Sequence, residues 1–474
     1  MNVDDLVWQE DSCGGVSPRT VDLLLEHGHL DLVVQAAGER DDWFCARAAA
    51  RELCVGGEFE RAWAVMKPFA ETGWLPAVSA GADVLLQWGR TEEALTLARP
   101  DGARETGEAC RRYAEVLMRA GRADETITVL TPHLMDDRVL SFLVEMTEGQ
   151  GRDESVLQLL TPLAEEARQR PAEDRTLALW RALDLQAEVL ERSGRPEQAI
   201  LLLGADVAGH REGPEITVAS YAALVARHGR LEELRQMAVG DHAYAAFPPL
   251  VKALEQAGRA YEAETLLREY ILAVDWPGNY QCLLMELLAR QGRIDDAVEA
   301  VRPTFDDHWN GLLQAAVMLL AEHGRHDRAL QLLEERSPEF LEECGHWVPS
   351  NRWWLMGESG RSRDAIAEIE AAPELEPDER DATIAWLLAQ DGRLDEAIDL
   401  LASCGGRHAT DLAGLLIRQN RPAEAIAAIP SVAAQREEEV RRWGARSSKG
   451  DSGACTGECS SKEDDEGHTD DPRF

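Results

Sequence analysis

One short phrase, returning along nearly the whole chain, constrains the fold more than any other feature. It reads Gly89-Arg90-Thr91-Glu92-Glu93-Ala94-Leu95, then Gly292-Arg293-Ile294-Asp295-Asp296-Ala297-Val298, then Gly392-Arg393-Leu394-Asp395-Glu396-Ala397-Ile398. Weaker copies begin at Gly28, Gly57, Gly121, Gly151, Gly194, Gly229, Gly258, Gly324, Gly360 and, with Asn replacing Gly, Asn420. The 13 starts lie 28 to 43 residues apart. A period of that size marks a supersecondary unit that buries its apolar face only by stacking on copies of itself.

The residues around each Gly say what the unit is. Leu stands four positions before it in ten of the 13 copies, and Ala five positions after it in nine. Further apolar residues fall seven, eight and eleven before the Gly, as in Leu313, Ala316, Val317 and Leu320, which is the spacing of one helical face. A second, shorter apolar pattern follows, as in Ala297, Val298 and Val301. Pro68, Pro100, Pro132, Pro162 and Pro303 each lie 11 residues past their Gly, and a ring without an N–H is expected to end the second helix there. Gly, or Asn at 420, suits the left-handed residue that closes a helix. The acids three or four residues later suit the start of the next helix. The unit is a helical hairpin, and the chain is expected to be all-α.

The phrase Gly-x-x-x-Glu-Ala, with a small residue seven before the Gly (Ala50, Ala82, Ala114, Ala187, Ala222, Ala385, Ala413), resembles the tetratricopeptide repeat over roughly residues 17 to 435. The resemblance implies an α-solenoid of about 13 helix-turn-helix hairpins wound into a superhelix. The chain departs from a steady period of about 34 in its uneven spacing and in second helices that meet Pro early. The widest gap, Gly151 to Gly194, reads as one larger hairpin whose second helix ends near Arg170-Pro171. Ser17-Pro18 is a helix start, so residues 1–16 are expected to form an N-terminal cap, 17–443 the array, and 444–474, rich in Gly, Ser, Asp and Glu, a disordered acidic tail.

Charge narrows the function classes. The 474 residues carry 87 Asp and Glu against 49 Lys and Arg, a net −38, which argues against holding nucleic acid or an anionic membrane through the overall field. Only Lys67, Lys252, Lys449 and Lys462 are lysines, and this Arg bias points to a GC-rich, actinobacterial-type source. The acidic N-terminus does not read as a secretory signal, and no uncharged run approaches the roughly 20 residues of a membrane span, so a cytoplasmic location is expected. Seven of the nine cysteines are scattered, and most of those seven read as small buried residues.

No phosphate-binding glycine loop, His-Glu-x-x-His or Gly-x-Ser-x-Gly motif occurs, so no enzyme, cofactor or catalytic residue is expected. His27, His29, His323 and His326 fall on hairpin turns and read as solvated polar residues. Cys455 and Cys459 with His468 in the tail could bind metal but lack a fourth clear ligand. The leading expectation is therefore a non-catalytic scaffold that binds a peptide or protein segment in the groove of the array. The alternative is a sensor module that binds a small molecule or signal peptide and controls a partner enzyme or transcription factor.

If the resemblance holds, the groove is lined by the first helix of each hairpin, at 13, 10, 6, 3 and 2 residues before the Gly. Those positions give Arg111, Glu115, Arg119, Arg181, Asp184, Glu188, Arg192, Arg227, Lys252, Glu286 and Arg290, and further on Trp347, Trp354 and Trp386. The central set holds seven bases and four acids in an acidic protein, a local reversal that would suit a partner segment bearing carboxylates.

Overall fold

A computed structural model describes the chain except residues 101–105, 172–173, 210–214, 303–310, 338–339, 341–346, 373–374 and 450–474. It is all-α: the described residues form 28 α-helices and no strand. They resolve into 13 consecutive tetratricopeptide-like hairpins, from Pro18–Glu26 with Leu30–Arg40 to Ala409–Arg418 with Pro422–Ala428, flanked by Val3–Ser12 and Val432–Lys449.

The turn chemistry works as the sequence implies. All 13 turn residues are left-handed, with φ from 59° at Asn420 to 81° at Gly89. In 12 of the turns the next residue's N–H reaches back to the carbonyl four before the Gly, as Arg90 does to Leu85 and Arg393 to Leu388, both at 2.8 Å. The recurring Leu thus serves twice, its carbonyl closing the helix and its side chain filling the core. Gly151 is the exception, because the helix Asp137–Met146 ends early and Gly149 is left-handed as well. The nine Ala five residues after the turn are all 0 % exposed, so in those hairpins the two helices approach closely; the other four copies bury Val33, Thr126, Val156 and Leu234 at the same position.

The Arg that follows the turn residue in 11 of the 13 copies pairs with acids: Arg152 reaches Asp124 (2.6 Å), Arg195 reaches Glu154 (2.8 Å), Arg293 reaches Glu264 (2.6 Å) and Arg325 reaches Asp295 (2.6 Å). Asp124, Glu154 and Asp295 stand in the first turn of the second helix of the preceding hairpin and Glu264 further along it, so these four arginines tie neighbouring units together; Arg90, Arg361, Arg393 and Arg421 instead pair with an acid of their own hairpin. The expectation for the prolines holds in part. Thr91–Ala98 stops before Pro100 and Ala123–Leu130 gives way to a 3-10 turn at Pro132, but Phe59–Ala70 and Asp153–Gln169 run through Pro68 and Pro162. Beyond those two prolines lie Phe69 and Ala70, and Ala164 and Ala167, all fully buried. Their packing offsets the roughly 3 kcal/mol an internal proline costs. Pro303 lies outside the described residues.

The chain divides into two compact units. One takes Met1–Val84, His326–Glu335 and the described part of Cys344–Phe474; the other takes Leu85–Arg325 and the described part of Arg336–Glu343. Within the first, the opening and closing hairpins share one core, in which Leu6, Val21, Leu24, Trp43 and Leu53 pack with Leu388, Leu401, Leu416 and Ile417. Polar bonds line this seam. Trp8 Nε1 donates to Glu439 (2.6 Å), Gly15 N to Gln435 (2.9 Å), and Arg40 to the carbonyls of Ile426, Ile429 and Pro430 (3.2, 2.7 and 2.8 Å). The helix Val3–Ser12, in the segment expected to cap the array, packs on Trp43–Val55 and on Val432–Lys449; the latter continues past the tail boundary expected at 444.

Candidate binding surfaces

The first-helix register brings five expected residues together in the second unit. Arg181, Asp184, Glu188, Arg192 and Arg227 line one cleft of about 620 Å³, with Glu148, Glu191 and Ser220. The helix Leu177–Arg192 supplies most of them because Arg181, Asp184, Glu188 and Arg192 follow one another at three- and four-residue steps along one face. Glu148 and Glu191 were not singled out in the sequence, although each stands three before its Gly, a position the register includes.

The arginines of the cleft differ in role. Arg192 is a wall element: it donates to Asp153 Oδ1 (2.9 Å), the Val144 carbonyl (2.7 Å) and Thr147 Oγ1 (3.1 Å), which closes the early end of Asp137–Met146. Arg227 holds both Glu191 oxygens (2.9 and 2.6 Å), and His228 joins the same carboxylate (2.9 Å). The bond to Arg227 keeps the Glu191 carboxyl below its usual range. In three dimensions three guanidiniums face four carboxylates in the cleft, so the strip that reads as basic along the sequence is close to balanced.

Asp184 is the unusual group. It is 8 % exposed, with the Thr217 and Ser220 hydroxyls beside it but neither in a full hydrogen bond to its carboxylate oxygens. Burial pushes its carboxyl up to about 6, while Arg181 and the Thr217 and Ser220 hydroxyls pull the other way. Burial also raises Glu188, four residues on, against the pull of Arg192.

The remaining expected residues lie outside this cleft. Arg111 bonds Glu108 (2.8 Å) and Glu115 (3.2 Å) with its guanidinium 5.4 Å from the Phe142 ring, and Arg119 is exposed at the end of the same helix. Arg290 pairs with Glu255 (3.0 Å) and Glu286 (3.7 Å), and Lys252 is exposed. Trp354 and Trp386 line a separate pocket of about 280 Å³ in the first unit, which does not include Trp347.

The other candidates from the sequence can be placed as well. His27 and His323 each make a 2.9 Å bond from Nδ1 to the carbonyl four residues back, so they finish helix ends. Among the described residues no group of three His, Cys, Asp or Glu is arranged to hold a metal ion, and no helix is long and apolar enough to cross a membrane. Cys455, Cys459 and His468 lie outside the described residues. Cys45, Cys54, Cys110 and Cys404 are buried as expected, whereas Cys13 is exposed.

No family model matches the chain, and no curated protein matches it. Solved structures similar to it are helical repeat proteins. One is Naa15/Naa10 bound to HypK-THB, at 15% identity over 81% of this chain and 67% of that one, with a TM-score of 0.36. Another is the APC/C hetero-tetramer Cut9-Hcn1, at 12% identity over 90% of this chain and 92% of that one, with a TM-score of 0.23. A third is the pentatricopeptide repeat protein PPR10 from maize, at 15% identity over 92% of this chain and 73% of that one, with a TM-score of 0.33. At such scores they bear on neither the cleft nor the pocket.

Proposed function

We propose that the chain is a non-catalytic scaffold for protein interaction, and that the cleft beside Leu177–Arg192 receives a segment of a partner polypeptide. The reading rests on one observation: five residues picked by register alone line a single cleft of about 620 Å³. Stacked repeats create extended concave surfaces that such arrays use for binding. Arg192 keeps the cleft in shape and Arg227, largely exposed, is held by Glu191 at the rim, while Arg181 and Glu188 offer one charge of each sign to a ligand. That balance favours a segment of mixed charge over a purely acidic one.

The test is the affinity of a partner recovered from the native cell for the wild-type chain and for the charge swap Arg181→Glu with Glu188→Arg. Loss of the two contacts is expected to weaken binding about tenfold or more. Equal affinity would show that the partner binds elsewhere. Arg192 is left intact because its replacement would disturb the fold itself.

A further inference from the structure

The pocket in the first unit is made by the same register but with a different chemistry. Six residues before three successive turns stand Trp354, Trp386 and Gly414, and two residues before them Glu358, Gln390 and Arg418; all six line it. The first hairpin closes it from the other side of the seam with Arg19, Thr20 and Leu23.

Two glycines show what the space is for. A glycine inside a helix is destabilising relative to Ala and needs a reason. Gly357 has one: a Cβ there would stand 2.7 Å from the Trp386 ring, so its absence lets the indole lie against the helix. Gly414, in the middle of Ala409–Arg418, has none of that kind, since a Cβ would meet nothing within 4 Å. The slot above it is open, and it opens into the pocket. The charges at the rim are unspent as well. In a protein that ties most of its arginines to acids, Arg19, Arg418 and Glu358 form no ion pair or hydrogen bond among the described residues. Asp411, 3.8 Å from His408, has its carboxyl raised by burial and faces Arg19 without bonding it.

We infer that this pocket binds a small zwitterion with an apolar body, of the size and chemistry of a free apolar α-amino acid. The body packs on the Trp354 and Trp386 indoles over the Gly414 slot, the carboxylate meets Arg19 and Arg418, and the ammonium meets Glu358 and Asp411. The volume of about 280 Å³ fits such a molecule and falls below the roughly 300–1,000 Å³ of pockets that take larger ligands. Because Arg19, Thr20 and Leu23 come from the first hairpin and the rest from the last three, the bound molecule also fastens the seam.

Calorimetric titration of the full chain with L-phenylalanine and L-leucine tests this, with N-acetyl-L-phenylalanine amide as the probe lacking both charges. The free amino acids are expected to bind, and removing their charges to weaken binding about tenfold or more. Gly414→Leu, which fills the slot, is expected to abolish binding. Gly414→Ala, which favours the helix and so keeps the fold, is expected to weaken it. Amide exchange in Pro18–Glu26 is expected to slow when phenylalanine is present. The inference fails if neither amino acid binds, if the uncharged amide binds equally well, or if both Gly414 variants bind like wild type. None of these results touches the cleft in the other unit, whose own test is separate.

Discussion

The cleft at Leu177–Arg192 and the pocket at Trp354 and Trp386 are built from equivalent positions of the same hairpin, yet one is charged and open while the other is small and aromatic. In the cleft the positions six and ten before the turn hold Glu188 and Asp184; in the pocket they hold Trp386 and Ala382, then Gly414 and Thr410. The hairpin itself is indifferent to this choice. Its own demands, Leu four before, Gly at the turn and Ala five after, fall on the buried faces, which leaves the exposed positions of the first helix to differ between copies. Function in such an array is therefore written at the positions the repeat does not need.

That separation can be broken at either end. The largest effect is expected at a repeat position: Leu288 is fully buried, and Leu288→Ala should cost about 2–5 kcal/mol in urea unfolding while leaving the pocket in the other unit intact. Next is Asp184. Its folded carboxyl sits at about 6 against 3.8 for the free group, so between those values the folded chain holds the proton more tightly than the unfolded one. Below that window the group is neutral in both states; above it the buried charge opposes folding. Stability is thus lost as pH rises from about 4 to 6, by up to about 3 kcal/mol. Asp184→Asn should restore that stability at pH 7 and flatten this part of the pH profile of unfolding.

Smaller differences separate residues that look alike in sequence. Arg192→Ala leaves Asp153, Thr147 and the Val144 carbonyl without their partner and should cost about 1.5–3 kcal/mol. Arg227→Ala removes a pair from a largely exposed side chain and should stay within about 1 kcal/mol. Equal losses would erase the distinction between wall and ligand-facing arginines. The smallest pair concerns the helical glycines: Gly414→Ala should raise the melting temperature, by up to about 1 kcal/mol of stability, whereas Gly357→Ala should lower it because the Trp386 ring must move.

The hairpins were legible in the sequence because most copies obey the same local rules, and the 13 left-handed turn residues lie where the phrase puts them. The charge of the cleft was not. Arg192 reads as one more groove-lining base, but what engages it comes from the preceding hairpin, 39 to 48 residues away in sequence. Glu148 and Glu191, which offset the arginines, stand at a register position that could have been read. The seam between the first and last hairpins left no local trace, since Trp8 meets Glu439 across 431 residues. Arg19 and Leu23 thus came into the pocket unannounced. Gly414 was visible at its register position, but only the structure shows that nothing fills the space beside it.

The central claim is that a partner polypeptide lies in the cleft, and a photo-cross-linking side chain placed at position 188 in the full chain tests it most directly. Irradiation in the native cell should join a polypeptide to the chain through position 188 and not through position 201, where Leu201 is 73 % exposed outside the cleft. Equal cross-linking at both positions, or cross-linking at 201 alone, would contradict the account.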